Sequence, residues 1–500
     1  MARADANGDL ASGGGVIVPF AAVVLAMLPA VLDQTMLATA LPTVARDLGR
    51  LADVSWIVTG YVVAAAASTP LWGKLGDRHG RKRLLEISLV MFLGASALCG
   101  AAQDITSLIA ARVVQGAAAG GLMSLANAAV GDLVSPRERG RYQGYIVSTF
   151  AVATVAGPLL GGLLVDHAGW RWVFYVNLPV GLAALAGLRL RFPSPSTERP
   201  RHALDAWGAA LLAGATSTFM LACIWGGQRY AWASPVILAL IGAAVLCAGA
   251  LVHRERRVPD PVVPLELLRT RTVAVASIVL FLATAALFAV NVFVPLFLQT
   301  TTRASPTQAG LLLVPMMLGI TLSTTLAGRS IERTGRYKRF PVAGLALMTV
   351  ALALLAVVVR QPSRTTVGVA LAVFGVGFGM VGQVLILSVQ NSVERRQLGV
   401  AMASTSFFRA LGGAVGAAVL GAVFAARAGS TGGSGALSGL PSGTRAQIVD
   451  AVQTVFLIAA PLALVGLVVV LLLPEQPLRG PDQPTGRGQA PEGRTALARA

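Results

Sequence analysis

Apolar residues in this chain come in long unbroken runs. They do not alternate as in a half-buried strand, nor form the 3.6-residue stripe of a soluble helix. Fourteen runs stand out, at 16–37, 54–73, 84–102, 106–131, 143–166, 170–188, 206–226, 233–252, 273–298, 307–328, 340–359, 366–388, 400–426 and 451–473. At 1.5 Å per residue, about 20 residues of helix cross ~30 Å of hydrocarbon. A barrel strand needs only ~9–11 residues, and a lipid-exposed segment must satisfy its backbone internally. The pattern therefore predicts an all-α integral membrane protein with fourteen transmembrane helices.

Composition agrees with that reading. The 500 residues are 55% hydrophobic and only 12% charged, the balance of a chain dissolved in lipid rather than one folded around a water-facing core. A formal net charge of +18 raises the question of nucleic acid, and position answers it. Stretches after even-numbered runs hold 24 Lys or Arg, and those after odd-numbered runs hold 9. This is the positive-inside pattern, with both termini on the cytoplasmic side of the cell membrane. It is an orientation signal, and no nucleic-acid partner follows from it. Cys99, Cys223 and Cys247 lie scattered within runs and read as packing residues. Ala38-Thr39-Ala40 imitates a signal-peptidase site, but the run before it exceeds the ~7–15 residues of a signal core.

Two basic stretches resemble each other at an offset of 255 residues, Gly73-Lys-Leu-Gly-Asp77-Arg-His-Gly80-Arg81-Lys82-Arg83 and Gly328-Arg-Ser-Ile-Glu332-Arg-Thr-Gly335-Arg336-Tyr-Lys338-Arg339. One follows the second run and the other the tenth. The expected organisation is an N-terminal segment (1–15), a six-helix bundle (16–190), two inserted helices (203–253), a second six-helix bundle (273–473) and a disordered tail (474–500). Paired repeats of this kind in a membrane chain point to a transporter with its site between the halves. Residues 428–447 read as a Gly/Ser-rich external loop.

On these residues the chain resembles the major facilitator superfamily, and within it the fourteen-helix drug:proton antiporters. The Gly73–Arg83 stretch is similar to the superfamily signature between helices 2 and 3. LDQTMLATALP (32–42) is similar to the helix 1 pattern of that branch, AGPLLGG (156–162) to its antiporter motif, and GWRWVFYVNLPVG (169–181) to its helix 6 opening. Asp205–Gly208, PLELLRTRT (264–272), LFLQ (296–299), QAGLLLVP (308–315) and FFRALGGAVG (407–416) fall where members carry similar strings, so the likeness reaches about residue 475. Ala38, Ala153 and Glu332 depart from the pattern. The resemblance implies a major facilitator fold. It also implies that Gly73, Asp77, Gly80 and Arg81, with Glu332, Gly335 and Arg336, act as a conformational latch, in which Asp77 pairs with Arg81 or faces a helix N-terminus. It further implies that Gly157, Pro158, Gly161 and Gly162 form an antiporter face between the halves that blocks leak. The plainer alternatives are a purely topological loop and ordinary small-residue packing.

Charges inside runs carry the remaining chemistry. Asp33 lies in the first, Arg112 in the fourth and Arg409 in the thirteenth. A charge at such depth costs about 2.5–3.5 kcal/mol on insertion scales, and Arg cannot shed its proton. Burial disfavours the Asp33 carboxylate and a neighbouring Arg112 favours it. A carboxyl held between those effects can take a proton on one side and release it on the other. A structural ion pair is the alternative. Thr35, Asn127, Asn291 and Gln383 are candidates for the substrate path or, equally, interhelical hydrogen bonds. Gly377-Phe-Gly-Met-Val-Gly382 fits a dinucleotide fingerprint without its βαβ context. No Walker A string, metal spacing or catalytic constellation occurs, so the expectation is no enzyme, no ATP, no metal and no cofactor. The expected activity is export of an amphipathic small molecule by a monomer that exchanges it for protons. A dedicated exporter of one metabolite, lipid or self-made antibiotic and a non-transporting sensor are the alternatives.

Overall fold

The computed structural model describes residues 14–48, 54–134, 138–192, 205–227, 229–258, 262, 265–301, 312–360, 363–394, 397–428 and 442–477. Most of the expected N-terminal segment, external loop and tail lies outside them. The described chain is helical, with α1 (Gly14–Leu48), α2 (Val54–His79), α3 (Arg81–Ala101), α4 (Ile105–Leu133), α5 (Arg139–His167), α6 (Trp172–Tyr175), α7 (Asn177–Arg191), α8 (Ala206–Trp225) and α9 (Pro235–Glu255) followed by α10 (Leu265–Arg269), α11 (Arg271–Thr301), α12 (Val314–Thr334), α13 (Arg339–Val358), α14 (Arg364–Ser392), α15 (Leu398–Ala428) and α16 (Ser442–Leu471).

Local chemistry sets the helix ends. Asp104 caps α4 by accepting from the N–H groups of Thr106 and Ser107, and the Ser107 N–H foremost holds its carboxyl below the usual carboxylate range. Ser234 caps α9, with Pro235 at the first helical position. Gly80 (φ 97°) turns α2 into α3, and Gly335 (φ 68°) ends α12; a side chain at either position would be strained. The sixth run is not one helix, because it divides at Val176 into α6 and α7. In contrast, α5 continues across Pro158.

Among the described residues, twelve helices are long and apolar enough to cross a membrane by length and composition. Two long helices, α2 and α12, are not among them. Both are diluted by hydroxyl-bearing residues, Ser68 and Thr69 in α2 and Thr321, Ser323, Thr324 and Thr325 in α12.

Helices α1–α7 pack around Phe92, Leu122 and Leu125 near the basic end and around Met36, Trp170 and Phe174 at the other. Helices α11–α16 enclose a second core around Phe293, Met348, Phe374 and Phe456. The groups meet along two seams, α2 with α15 and α5 with α12. Helices α8 and α9 pack on each other, and α8 lies against α2 and α15, where Met220 and Cys223 meet Val63, Ala66, Ala414 and Ala418. Arg254 at the end of α9 pairs with Asp205 before α8 at 2.6 Å. Burial pushes the Asp205 carboxyl up, but the Gly208 N–H and Arg254 outweigh it and hold it below the usual range. Large apolar side chains such as Leu159, Leu163, Leu190, Trp207 and Leu246 point outward, as lipid-facing residues must.

Candidate functional site

Among the described residues, the interior of the first bundle holds a polar cluster around Asp33. Asp33 of α1 is 0% exposed and Arg112 of α4 is 1% exposed. Arg112 Nη1 donates to Asp33 Oδ2 at 2.5 Å and to Gln115 Oε1 at 2.6 Å, while its Nε donates to the Ile57 carbonyl at 3.2 Å. Its guanidinium carbon lies 4.2 Å from the centre of the Tyr61 ring, a cation–π contact in a site without bulk water. The other carboxylate oxygen, Oδ1, accepts from Gln115 Nε2 at 3.0 Å and Asn177 Nδ2 at 3.3 Å. Ser96 Oγ accepts from the same two amides, at 2.7 and 3.4 Å. Five helices thus converge on one neutral pair.

Sequence reasoning paired Asp33 with Arg112 but missed Gln115, Ser96, Tyr61 and Asn177. Two of these had a signal. Gln115 is three residues beyond Arg112, so it shares that helix face. Asn177 falls inside GWRWVFYVNLPVG, at the break between α6 and α7. Chemically, the cluster is a buried charge pair whose members need each other. Removing one partner of such a pair costs about 3–5 kcal/mol, because the other charge is left uncompensated. Protonating Asp33 has a related effect, since it leaves the Arg112 charge with the neutral partners Gln115, the Ile57 carbonyl and Tyr61.

Helix α5 abuts this region. A Cβ on Gly157 would lie 1.9 Å from Thr35 Oγ1, and one on Gly161 would lie 2.5 Å from Thr39 Oγ1. Gly157 and Gly161 therefore let α5 close on the turn of α1 that follows Asp33. This corrects the expected placement, because the glycine face packs within the first bundle rather than against the second. A Cβ on Gly162 would meet nothing within 4 Å, and Pro158 is exposed.

A second polar group lies at the seam between α2 and α15. Asp77 accepts from the N–H groups of Gly399 at 2.8 Å and Val400 at 2.9 Å, which puts its charge on a helix N-terminus. Arg81 Nη2 donates to Asp77 at 2.8 Å, and Arg81 Nη1 pairs with Asp132. A Cβ on Gly73 would stand 2.5 Å from the Gly399 carbonyl oxygen, so the two backbones touch. The corresponding seam has Gly328 against Gly140, with Glu332 Oε1 3.9 Å from Arg141 Nη1. The Arg336 side chain is exposed, and its N–H donates to Thr334 Oγ1 at 3.4 Å.

The four path candidates do not converge. Thr35 Oγ1 donates to the carbonyls of Val31 and Leu32 within α1. Asn127 Nδ2 donates to the Met123 carbonyl, and its own carbonyl accepts from Gln390 Nε2. Asn291 is exposed on α11. Gln383 lines a small cavity at the α5–α12 seam that contains none of the other three. Arg409 is half-buried midway along α15, beside the edge-to-face pair Phe407–Phe408. Among the described residues no group of His, Cys, Asp and Glu is arranged to hold a metal ion.

The chain and its fold are similar to known proteins. Residues 23–417 match the sequence model of the Major Facilitator Superfamily. An MFS-type transporter of Mycobacterium tuberculosis is 38% identical over 409 residues, which is 81% of this chain and 59% of that protein. The multidrug transporter protein MdtP of Bacillus subtilis is 33% identical over 391 residues, covering 78% of this chain and 72% of its own. The chain thus spans about six-tenths of the length of the mycobacterial relative. Among solved structures, the human organic anion transporter MFSD10 superposes with a TM-score of 0.65 at 18% identity, over 91% of this chain and 99% of that one. The proton:xylose symporter XylE gives 0.65 at 13% identity, over 93% and 98%. At these identities the two structures speak for the fold alone.

Proposed function

Because this chain belongs to the Major Facilitator Superfamily, we propose that it is a proton-coupled exporter of amphipathic organic compounds such as drugs or antibiotics, working by alternating access. Relatives named as multidrug transporters support the substrate class. In this reading α2 and α12 also cross the membrane, each inside its own six-helix half. With the twelve apolar helices, which include the inserted pair α8–α9, they make the fourteen crossings of a drug:proton antiporter. The basic end is cytoplasmic, in keeping with the positive-inside rule, and the protein sits in the cell membrane.

The observation that carries the proposal is the sealed pair of Asp33 and Arg112. Asp33 is the proton carrier. Its carboxylate is matched by Arg112 and by two amide donors in this conformation, so proton uptake requires the cluster to rearrange. That requirement ties protonation to the swing of the halves. Asp77, Arg81 and the glycines of both seams form the latch that holds the basic end shut. One proton moving down about 100 mV supplies about 2.3 kcal/mol, enough to help drive a substrate uphill.

The test is transport by the full chain in proteoliposomes with an imposed pH gradient, using a fluorescent amphipathic dye as probe. Asp33→Asn is expected to abolish extrusion against a dye gradient while leaving downhill exchange. Uphill extrusion by that variant, or by the wild-type chain after a protonophore, would remove proton coupling from the proposal.

A further inference from the structure

The second bundle carries a charge at membrane depth that the first bundle's chemistry does not explain. Arg409 stands eleven residues past Leu398, the start of α15. That is about 16 Å along the axis at 1.5 Å per residue, farther than an arginine side chain extends. Among the described residues of α11–α16, it is the one charged side chain so far from both ends of its helix. An arginine at such depth needs a counter-charge, a carbonyl or a water-filled cavity. Arg112 has the first two, in Asp33 and the Ile57 carbonyl. Arg409 is half-buried, yet among the described residues it makes no ion pair and no hydrogen bond within the protein. Its neighbours along α15 fix the direction it faces. Ala410 and Ala414 pack with residues of α2 and α8, while Gly412 and Gly416 touch the α11 backbone at Phe281 and Ala285. At 3.6 residues per turn, Ser406, Arg409 and Gly413 fall on the arc between those two contacts. Helix α2 belongs to the first bundle and α11 to the second, so this arc faces the space between them. It is loosely filled, because a Cβ on Gly413 would meet nothing nearer than Thr284 Cγ2 at 3.7 Å. Ser406 is a second unsatisfied group on the same arc. The hydroxyl of neighbouring Thr405 bonds back to the Met402 carbonyl at 2.9 Å, whereas the half-buried Ser406 hydroxyl has no such bond among the described residues.

We infer that Arg409 and Ser406 bind the anionic head group, a carboxylate or a sulfonate, of an amphipathic substrate. The guanidinium presents parallel N–H donors that match the oxygens of such a group. Ser406, three residues earlier on the same face, adds a hydroxyl donor. A bound anion also supplies the counter-charge that Arg409 lacks within the protein, and the gap at Gly413 leaves room beside it. The inference rests on the export reading and adds to it the sign of the substrate's charge.

Two probes of opposite charge give the test. Initial transport rates are measured for the full chain in proteoliposomes under an imposed pH gradient, with a fluorescent anilinonaphthalene sulfonate and with the cation ethidium. Arg409→Gln is expected to raise KM for the sulfonate on the order of tenfold, the loss of a charge-assisted hydrogen bond, and not to raise KM for ethidium. Arg409→Lys keeps the charge without the planar fork and is expected to fall between Arg409→Gln and the wild type. Ser406→Ala is expected to raise the sulfonate KM several-fold. Should Arg409→Gln not reach the membrane, Arg409→Lys and Ser406→Ala carry the same contrast between probes. An equal loss for both probes would give Arg409 a structural role and overturn the anion site. A sulfonate KM that no variant moves, or a wild-type chain that carries ethidium but no sulfonate, would overturn it too, and each of these leaves export intact. A wild-type chain that moves neither probe would overturn the export reading and this site with it.

Discussion

Where α2 meets α15, Gly73 lies against Gly399, and Asp77 accepts from the first N–H groups of α15 while Arg81 holds its flank. Where α12 meets α5, 255 residues further on, Gly328 lies against Gly140, but Glu332 reaches only Arg141, at 3.9 Å and partly exposed. The repeat has kept the close backbone approach at both seams and the charged contact at one. Two features explain the difference. Helix α5 begins after Glu138, an acidic residue whose side chain makes no cap hydrogen bond, and a second negative charge beside an acidic residue is disfavoured there. Helix α4 ends near Asp132, which anchors Arg81, whereas α14 ends on Asn391 and Ser392. Of the two copies of the motif, only the first sets its carboxylate on the N–H groups of a partner helix start.

The glycines give the strongest test of what the seams share. Ala at Gly73 or at Gly328 drives a methyl group into backbone at 2.5 or 2.1 Å, and overpacking of this kind costs about 1–3 kcal/mol. Both variants are expected to open the basic end, seen as increased labelling of a reporter cysteine in the seam. A silent Gly328→Ala beside a disruptive Gly73→Ala would mean that the two seams are not equivalent even in backbone.

The carboxylates test what the seams do not share. Asp77→Asn replaces charge-assisted bonds to two N–H groups and Arg81 with neutral ones, a loss of about 1.5–3 kcal/mol from the closed state. Glu332→Gln alters a long, partly exposed pair worth about 0–1 kcal/mol. Initial transport rates of the two variants, at matched amounts in the membrane, are expected to differ several-fold, with Asp77→Asn the slower. Equal slowing would show that Glu332 finds a stronger partner in another conformation.

Much of this arrangement was legible beforehand. Long apolar runs located the helices, because a lipid-spanning helix has a length set by the bilayer, but α1, α2 and α12 run past their runs to Leu48, His79 and Thr334. The 255-residue offset exposed the duplicated loops, and Asp33 and Arg112 announced each other as charges at depth. What stayed hidden depends on rotation of helices about their own axes. Nothing in the spacing of Gly157 and Gly161 says whether they face α1 or the other bundle; the sequence records a small face and not its partner. Ser96, Tyr61 and Asn177 join the Asp33 cluster from three separate helices, and hydroxyl or amide side chains in apolar runs are common enough to pass without notice. Glu332 matches Asp77 by position, but its partner Arg141 is brought beside it only by folding.

The smallest expected effect belongs to Arg336. It aligns with Arg81, which is 8% exposed and shared between Asp77 and Asp132. Arg336 projects from the turn after Gly335 into an exposed position, and its N–H rather than its side chain makes the local bond. A surface side chain without a buried partner changes stability by no more than about 0.5 kcal/mol when truncated, so Arg336→Ala is expected to transport at the wild-type rate. Arg81→Ala leaves two carboxylates facing each other in a half-sealed seam and is expected to be markedly slower. Measured side by side at low and at high salt, the two variants separate a solvated charge from a structural one, because screening acts strongly on exposed charges and weakly on buried pairs. An Arg336→Ala variant that slows transport, with a deficit insensitive to salt, would place that arginine against a carboxylate in the open conformation. The second loop would then be a latch for the opposite state, and the inequality between the seams would describe one half of the cycle only.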